Sequence, residues 1–145
     1  MTEKANQELV NFLRKSKLLT LCTSNGDQLW AANLIFNFNE SDMSAVVSTS
    51  VNTRHSEIMN ERNIVAGTIG SKLSLLSSIG LQYSGNINLI DEPQRSVAKK
   101  QYLKRYPFLR GKVSDLWILK FDEIKLVSMR LGKRSCIEWL RENGQ

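Results

Sequence analysis

Proline, cysteine and histidine are all scarce in this 145-residue chain. There are two prolines, two cysteines and one histidine. With so little proline and only eight glycines, 41% hydrophobic and 23% charged residues describe a folded chain, not a collagenous or low-complexity one. Cys22 and Cys136 lie far apart and form no Cys-x-x-Cys pair, and His55 is the only imidazole. A structural zinc site therefore lacks ligands. Two unpaired thiols fit a reducing compartment, so the expected location is the cytoplasm. Long apolar runs are missing too. A span needs about 20 residues, and the N-terminus shows no basic region followed by an apolar core. Neither a membrane partner nor a secretory leader is expected.

Length sets the scale of what is present. A chain of this size buries roughly 68–70% of its unfolded surface, enough for one core. The reading is a single domain over 1–145. The net charge of +6 is local. Segment 93–114 holds seven basic residues and no acid, leaving 13 basic against 14 acidic elsewhere.

Hydrophobic periodicity orders the elements. Ala5, Leu9, Phe12 and Leu13 make one stripe of a helix over 3–16, with Thr2 as its cap. Residues 18–23 and 28–38 read as strands joined at Ser24-Asn25-Gly26-Asp27, a hairpin signal centred on Asn-Gly. In the second strand Trp30, Ala32, Leu34, Phe36 and Phe38 share a face. A turn at 39–42 leads to a third strand at 43–49. A short helix follows over 53–61, with Asn52 as a candidate cap and Ile58 and Met59 buried. Strands are predicted over 63–70 and 79–90, separated by a Gly/Ser-rich loop at 70–78. Gly85 marks a bulge or bend. A basic helix opens at Pro93 and ends near Tyr106, with Val97, Tyr102 and Leu103 as its core stripe. Strands at 115–121 and 123–130 break at Asp122-Glu123, and a short tail carries Cys136, Ile137, Trp139 and Leu140. Six or so strands with meander hairpins point to a mainly β chain, a closed or partly closed antiparallel barrel with peripheral α-helices.

Three places carry candidate chemistry. Ser48-Thr49-Ser50-Val51-Asn52-Thr53-Arg54-His55-Ser56 runs from a strand end into a helix start. Helix N-termini attract anions through unpaired N–H groups, and an arginine fork matches phosphate oxygens. The same residues also serve as ordinary caps. Asn33 and Asn37 interrupt an apolar strand, and Gln82, Ser84 and Asn86 form a polar strand face. Either set faces water or meets the polar edge of a ring-shaped ligand. The basic helix offers cations to a nucleic-acid backbone, yet its stripe also reads as a packed helix with a solvated charged face, and the expectation is against nucleic acid. No Gly-x-x-x-x-Gly-Lys-Ser/Thr, Gly-x-Gly-x-x-Gly or Gly-x-Ser-x-Gly motif occurs.

Several segments, in order, resemble a known family. They are Leu29-Trp30-Ala31-Ala32-Asn33, Thr53-Arg54-His55, Val65-Ala66-Gly67-Thr68, Gly80 to Gly85, Tyr102 to Phe108, Trp117 with Asp122 to Lys125, and Ile137 to Arg141. The chain is similar to the YhbP-like family within the pyridoxamine 5′-phosphate oxidase-like, FMN-binding split-barrel superfamily. The resemblance implies a six- to seven-stranded antiparallel split β-barrel and a homodimer with cofactor clefts between subunits. It implies FMN, with its phosphate at Ser48, Thr49, Thr53, Arg54 and His55. Its ring would lie along Asn33, Leu34 and Ile35, with Gln82 as a polar contact and Trp117 reaching in from the partner. The phosphate's second cation is missing from the local motif, and Lys72 and Lys133 are the candidates. An FMN-dependent oxidoreductase follows as an expectation, with substrate and catalytic residues unassigned. Pyridoxamine oxidation itself is not expected. The alternatives are a split-barrel module using heme, a deazaflavin or no cofactor.

Overall fold

The computed structural model describes residues 3–142. Thr2, expected as a helix cap, and the side chain of Ala5 lie outside the described residues. Helix α1 (Glu3–Lys15) carries the predicted stripe, with Leu9, Phe12 and Leu13 buried. Strands β1 (Leu18–Asn25) and β2 (Gln28–Asn39) form the hairpin. Asn25 pairs with Gln28, so the central residues are Gly26 and Asp27, one step beyond the predicted pair. Only Gly26 has a positive φ, +60°. Glycine takes the one position of the turn that a side chain disfavours.

β3 (Ser44–Ser48) continues the meander. Helix α2 (Arg54–Glu61) is capped by Thr53, not Asn52. The Thr53 hydroxyl accepts the Ser56 N–H at 3.2 Å, the spacing an N-cap requires. Ile58 and Met59 are buried as predicted. β4 (Ile64–Leu73) and β5 (Ser77–Leu89) reach further into 70–78 than the sequence indicates, leaving a short tip. Helix α3 (Gln94–Arg105) precedes a 3-10 turn at Pro107–Leu109. In α3 Tyr102 is buried, but Val97 is 60% exposed. The helix meets the barrel through its C-terminal half. The Tyr102 and Tyr106 hydroxyls donate to the carbonyls of Ile35 and Phe36. Arg105 donates to the carbonyls of Phe36, Arg14 and Ser16.

The predicted break at Asp122-Glu123 does not divide the last long strand. β6 (Leu116–Arg130) is continuous, and the tail is a further strand, β7 (Lys133–Leu140). The sheet runs β3-β2-β1-β4-β5-β6-β7, and β3 also pairs with β6. Six strands thereby close a ring, and β7 stands outside it. β6 serves both parts. Its residues 116–120 pair with β3, and its residues 123–130 pair with β7. Between these halves Asp122 is the extra residue opposite the Ser84–Gly85 step. A Cβ at Gly85 would collide with the Lys120 carbonyl, so this close approach demands glycine. The Gly85 signal and the Asp122-Glu123 signal are two sides of one bulge, where the barrel splits.

Among the described residues, no helix is long and apolar enough to cross a membrane.

Candidate functional site

The end of β3 sets the site. Thr49 is fixed on three sides. Its N–H donates to the Asp115 carbonyl at 2.9 Å, its carbonyl accepts the Trp117 indole N–H at 3.0 Å, and its hydroxyl lies 2.7 Å from His55 Nε2. The chain then turns through 50–53, where the Val51 N–H donates to the Asp115 carboxylate at 2.9 Å. These bonds aim the N-terminus of α2 outward. The Thr53 hydroxyl is committed to the cap, and the Glu57 N–H is met by the Thr53 carbonyl. The first-turn N–H groups of Arg54 and His55 meet no acceptor among the described residues. Arg54 is exposed, and its guanidinium lies over the Trp30 ring, 3.9 Å from the centroid. No carboxylate pairs with it among the described residues. Stacking orients the fork without neutralising it.

The strand end that precedes this turn borders an open cleft of about 250 Å³. Asn33, Leu34, Ile35 and Ser48 line it on the barrel side. Tyr102, Leu109, Lys112 and Val113 close it from the segment after α3. Lys112 is the one charged side chain of the lining. The Ser48 hydroxyl accepts the Ser114 N–H at 3.0 Å and holds the two sides together. Burial and the neighbouring Tyr106 push the Tyr102 hydroxyl up to about 12, so it stays a neutral donor to Ile35.

Four of the ten expected site residues thus share one cleft, and Arg54 stands on the helix that follows Ser48. The others separate. Trp117 is 2% exposed, with its indole N–H satisfied inside its own barrel. Its side chain packs inside its own barrel, whereas the resemblance implied a reach into the partner's cleft. Thr49 and His55 are both buried and bonded to each other. Burial holds the His55 imidazole below its ordinary 6.5, and its Nε2 meets the Thr49 hydroxyl inside the fold. Thr53 caps. Gln82 lies in a different cleft with Tyr83, Ser84, Glu123 and Lys125. It ends a cross-strand row, Gln82–Thr68–Thr20–Asn33, in which the Thr20 hydroxyl donates to Asn33 at 2.8 Å. Three strand spacings put Gln82 about 14 Å from Asn33. Lys133 pairs with Arg130 at the far end of β6 and is no second cation here. The side chain of Lys72 lies outside the described residues.

Sequence reasoning missed Lys112 and Trp30 as site residues. Lys112 was hidden in a run of seven cations, two of which, Arg95 and Arg105, bond backbone carbonyls. No spacing rule joins Trp30 to Arg54; only the β1–β2 hairpin and α2 bring them together.

No protein-family model matches the chain. Solved structures of the same fold do. A heme binding protein from Mycobacterium smegmatis aligns with a TM-score of 0.75 at 14% identity, over 94% of this chain and 58% of that one. An FAD-binding protein from Mesorhizobium loti gives 0.68 at 10% identity, over 87% and 94%. A Clostridium acetobutylicum protein related to general stress protein 26, of the pyridoxinephosphate oxidase family, gives 0.66 at 16% identity, over 94% and 95%. These establish the split-barrel fold. Closer in sequence is a UPF0306 protein of Serratia proteamaculans (strain 568), 31% identical over 141 residues, covering 97% of this chain and 98% of its own. A UPF0306 protein of Yersinia pseudotuberculosis serotype O:3 (strain YPIII) is 35% identical over 135 residues, covering 92% of each. Matched almost from end to end at this identity, the chain belongs to the UPF0306 family.

Proposed function

We propose that this protein binds FMN as a homodimer and serves as a flavin-dependent oxidoreductase. The observation that carries the reading is an uncompensated arginine, held over Trp30 at a helix N-terminus, on the segment that follows the Ser48 cleft. A phosphate dianion needs a full positive partner as well as helix N–H donors. Arg54 supplies the charge, and the N–H groups of Arg54 and His55 supply the donors. Asn33 offers a carboxamide to the polar edge of a flat ring, and Lys112 brings the cleft its cation. When bound, the flavin supplies electron and hydride chemistry, while the protein binds and orients it.

The similar structures named for heme and for FAD make heme the competing cofactor. Heme iron takes an axial His, Cys, Met or Tyr. None of the first three lines this cleft, and the Tyr102 hydroxyl is spent on Ile35. The donor set fits a flavin better.

Two observations support the homodimer. A cleft of about 250 Å³ falls below the ~300–1,000 Å³ of ordinary ligand pockets, a shortfall that a second chain would make good. Next to the Gln82–Asn33 row runs a second one, Ser84–Ala66–Cys22–Ala31. Its small residues, largely exposed, leave a sheet face free of bulky side chains, on which a second copy would pack closely. That arrangement would turn Gln82 toward the partner's cleft.

The test is the visible spectrum of the purified protein, followed by mass spectrometry of what denaturation releases. A flavin band and released FMN are expected. An intense heme band, or a colourless protein that takes up no added FMN, overturns the reading.

A further inference from the structure

One end of the molecule is built from two hairpin tips. β4 passes into β5 through Ser74–Leu76, and β6 passes into β7 through Leu131 and Gly132. The Leu131 N–H donates to the Leu76 carbonyl at 2.9 Å, tying the tips together. Their apolar side chains face outward. Leu75 is 99% exposed, Leu73 85%, Leu131 76% and Leu76 62%. With Met129 they frame an open hollow of about 360 Å³. Leu131 is the most telling of them. It holds φ +49° and Gly132 +79°, the two left-handed residues of a turn that favours Asn-Gly. Leucine accepts an unfavourable backbone there and, being three-quarters exposed, gains little packing in return.

The charge around the tips has one sign. Arg130, Lys133 and Arg134 are exposed on the strands entering and leaving the turn. Neither 63–90 nor 124–137 contains an acidic residue. We propose that this end is a peripheral contact for an anionic lipid surface. The leucines enter the headgroup–acyl boundary, and the three cations meet the anionic headgroups. A second copy fits less well, because a tip-to-tip contact would set Arg130, Lys133 and Arg134 of both chains against one another. The expectation of no membrane partner rested on the lack of a spanning run, and a peripheral contact requires none.

Co-sedimentation of the full chain with vesicles tests this. Mixed phosphatidylglycerol and phosphatidylcholine vesicles should carry the wild type into the pellet, and phosphatidylcholine alone should not. Leu75→Ser combined with Leu131→Asn should cut the partition coefficient by at least about tenfold. Asparagine suits the turn, so Leu131→Asn alone should melt no lower than wild type and remains a folded probe. Replacing Arg130, Lys133 and Arg134 by Gln should cut it about a hundredfold, at roughly fivefold per cation. Three results would overturn the proposal. The wild type stays in the supernatant with anionic vesicles; the variants sediment as wild type does; or the leucine variants lower the molecular mass in light scattering while no form binds vesicles, which makes the tips a self-association surface.

Discussion

The guanidinium of Arg54 and the indole of Trp30 stack at 3.9 Å, joining the start of α2 to the N-terminal half of β2. Trp30 is 45% exposed and works as a shelf, not as core. A cation–π contact at such a site is worth about 0.5–1 kcal/mol. Trp30→Ala should therefore weaken FMN binding about two- to fivefold, because the fork loses its orientation but keeps its charge. Isothermal titration of FMN into both proteins measures this. An unchanged affinity would show that the shelf does not prepare the arginine.

The paired-barrel arrangement predicts unequal thiols. Cys22 and Cys136 are both exposed on one chain, but Cys22 sits on the small-residue face. In a dimer packed on that face, Cys136 should react quickly with a thiol reagent and Cys22 slowly, with both fast after denaturation. Light scattering should give twice the 16.5 kDa chain mass. Two fast thiols in the native protein would place the interface elsewhere.

His55 sets an acid limit. Its pKa is lowered by burial, so the unfolded chain binds a proton more readily than the folded one. Stability is then fully present above the ordinary 6.5 and is lost as pH falls through the lower folded value. The melting temperature should drop on acidification from pH 6.5, and His55→Gln should flatten that drop. A parallel decline in both proteins would assign it to other groups.

Gly85 faces the bulge at which the barrel splits. Gly85→Ala drives a methyl into the Lys120 carbonyl. Neither the backbone nor the Leu119 side chain beside it yields freely, so a loss of about 1–3 kcal/mol is expected. Urea unfolding gives the number, and a neutral result would show that β5 and β6 can separate here at little cost.

Much of the fold was legible because period-two burial is local. The strand at 79–90 alternates in sequence, with Leu81, Tyr83, Ile87 and Leu89 on one face; the first three are buried, and Leu89, at the strand end, is exposed. β7 was not legible. Its side chains are mostly exposed, so no alternation marks it, and it exists because the outer half of β6 needs a partner. At the candidate site, the placement of Ser48 at a strand end, Arg54 at a helix start and Asn33 on an apolar strand was legible in the sequence. The burial of Trp117 and His55 was not legible, because polar-tipped side chains look alike in sequence whether they meet a ligand or a buried carbonyl or hydroxyl. Lys112 joins the cleft through contacts distant in the chain, the Ser48–Ser114 bond and the Thr49–Asp115 bond, each 66 residues apart.

The phosphate site at Arg54 is tested most directly by titrating FMN and riboflavin against wild type and Arg54→Ala, followed by quenching of flavin fluorescence. Loss of a charged hydrogen bond costs about 1.5–3 kcal/mol, so Arg54→Ala should weaken FMN roughly ten- to a hundredfold. Arg54→Lys should recover part of that, since an ammonium lacks the bidentate fork. Riboflavin, without the phosphate, should bind wild type weakly and be indifferent to the substitution. Equal weakening of both flavins would make Arg54 a structural residue, and no binding of either flavin to wild type would contradict the account.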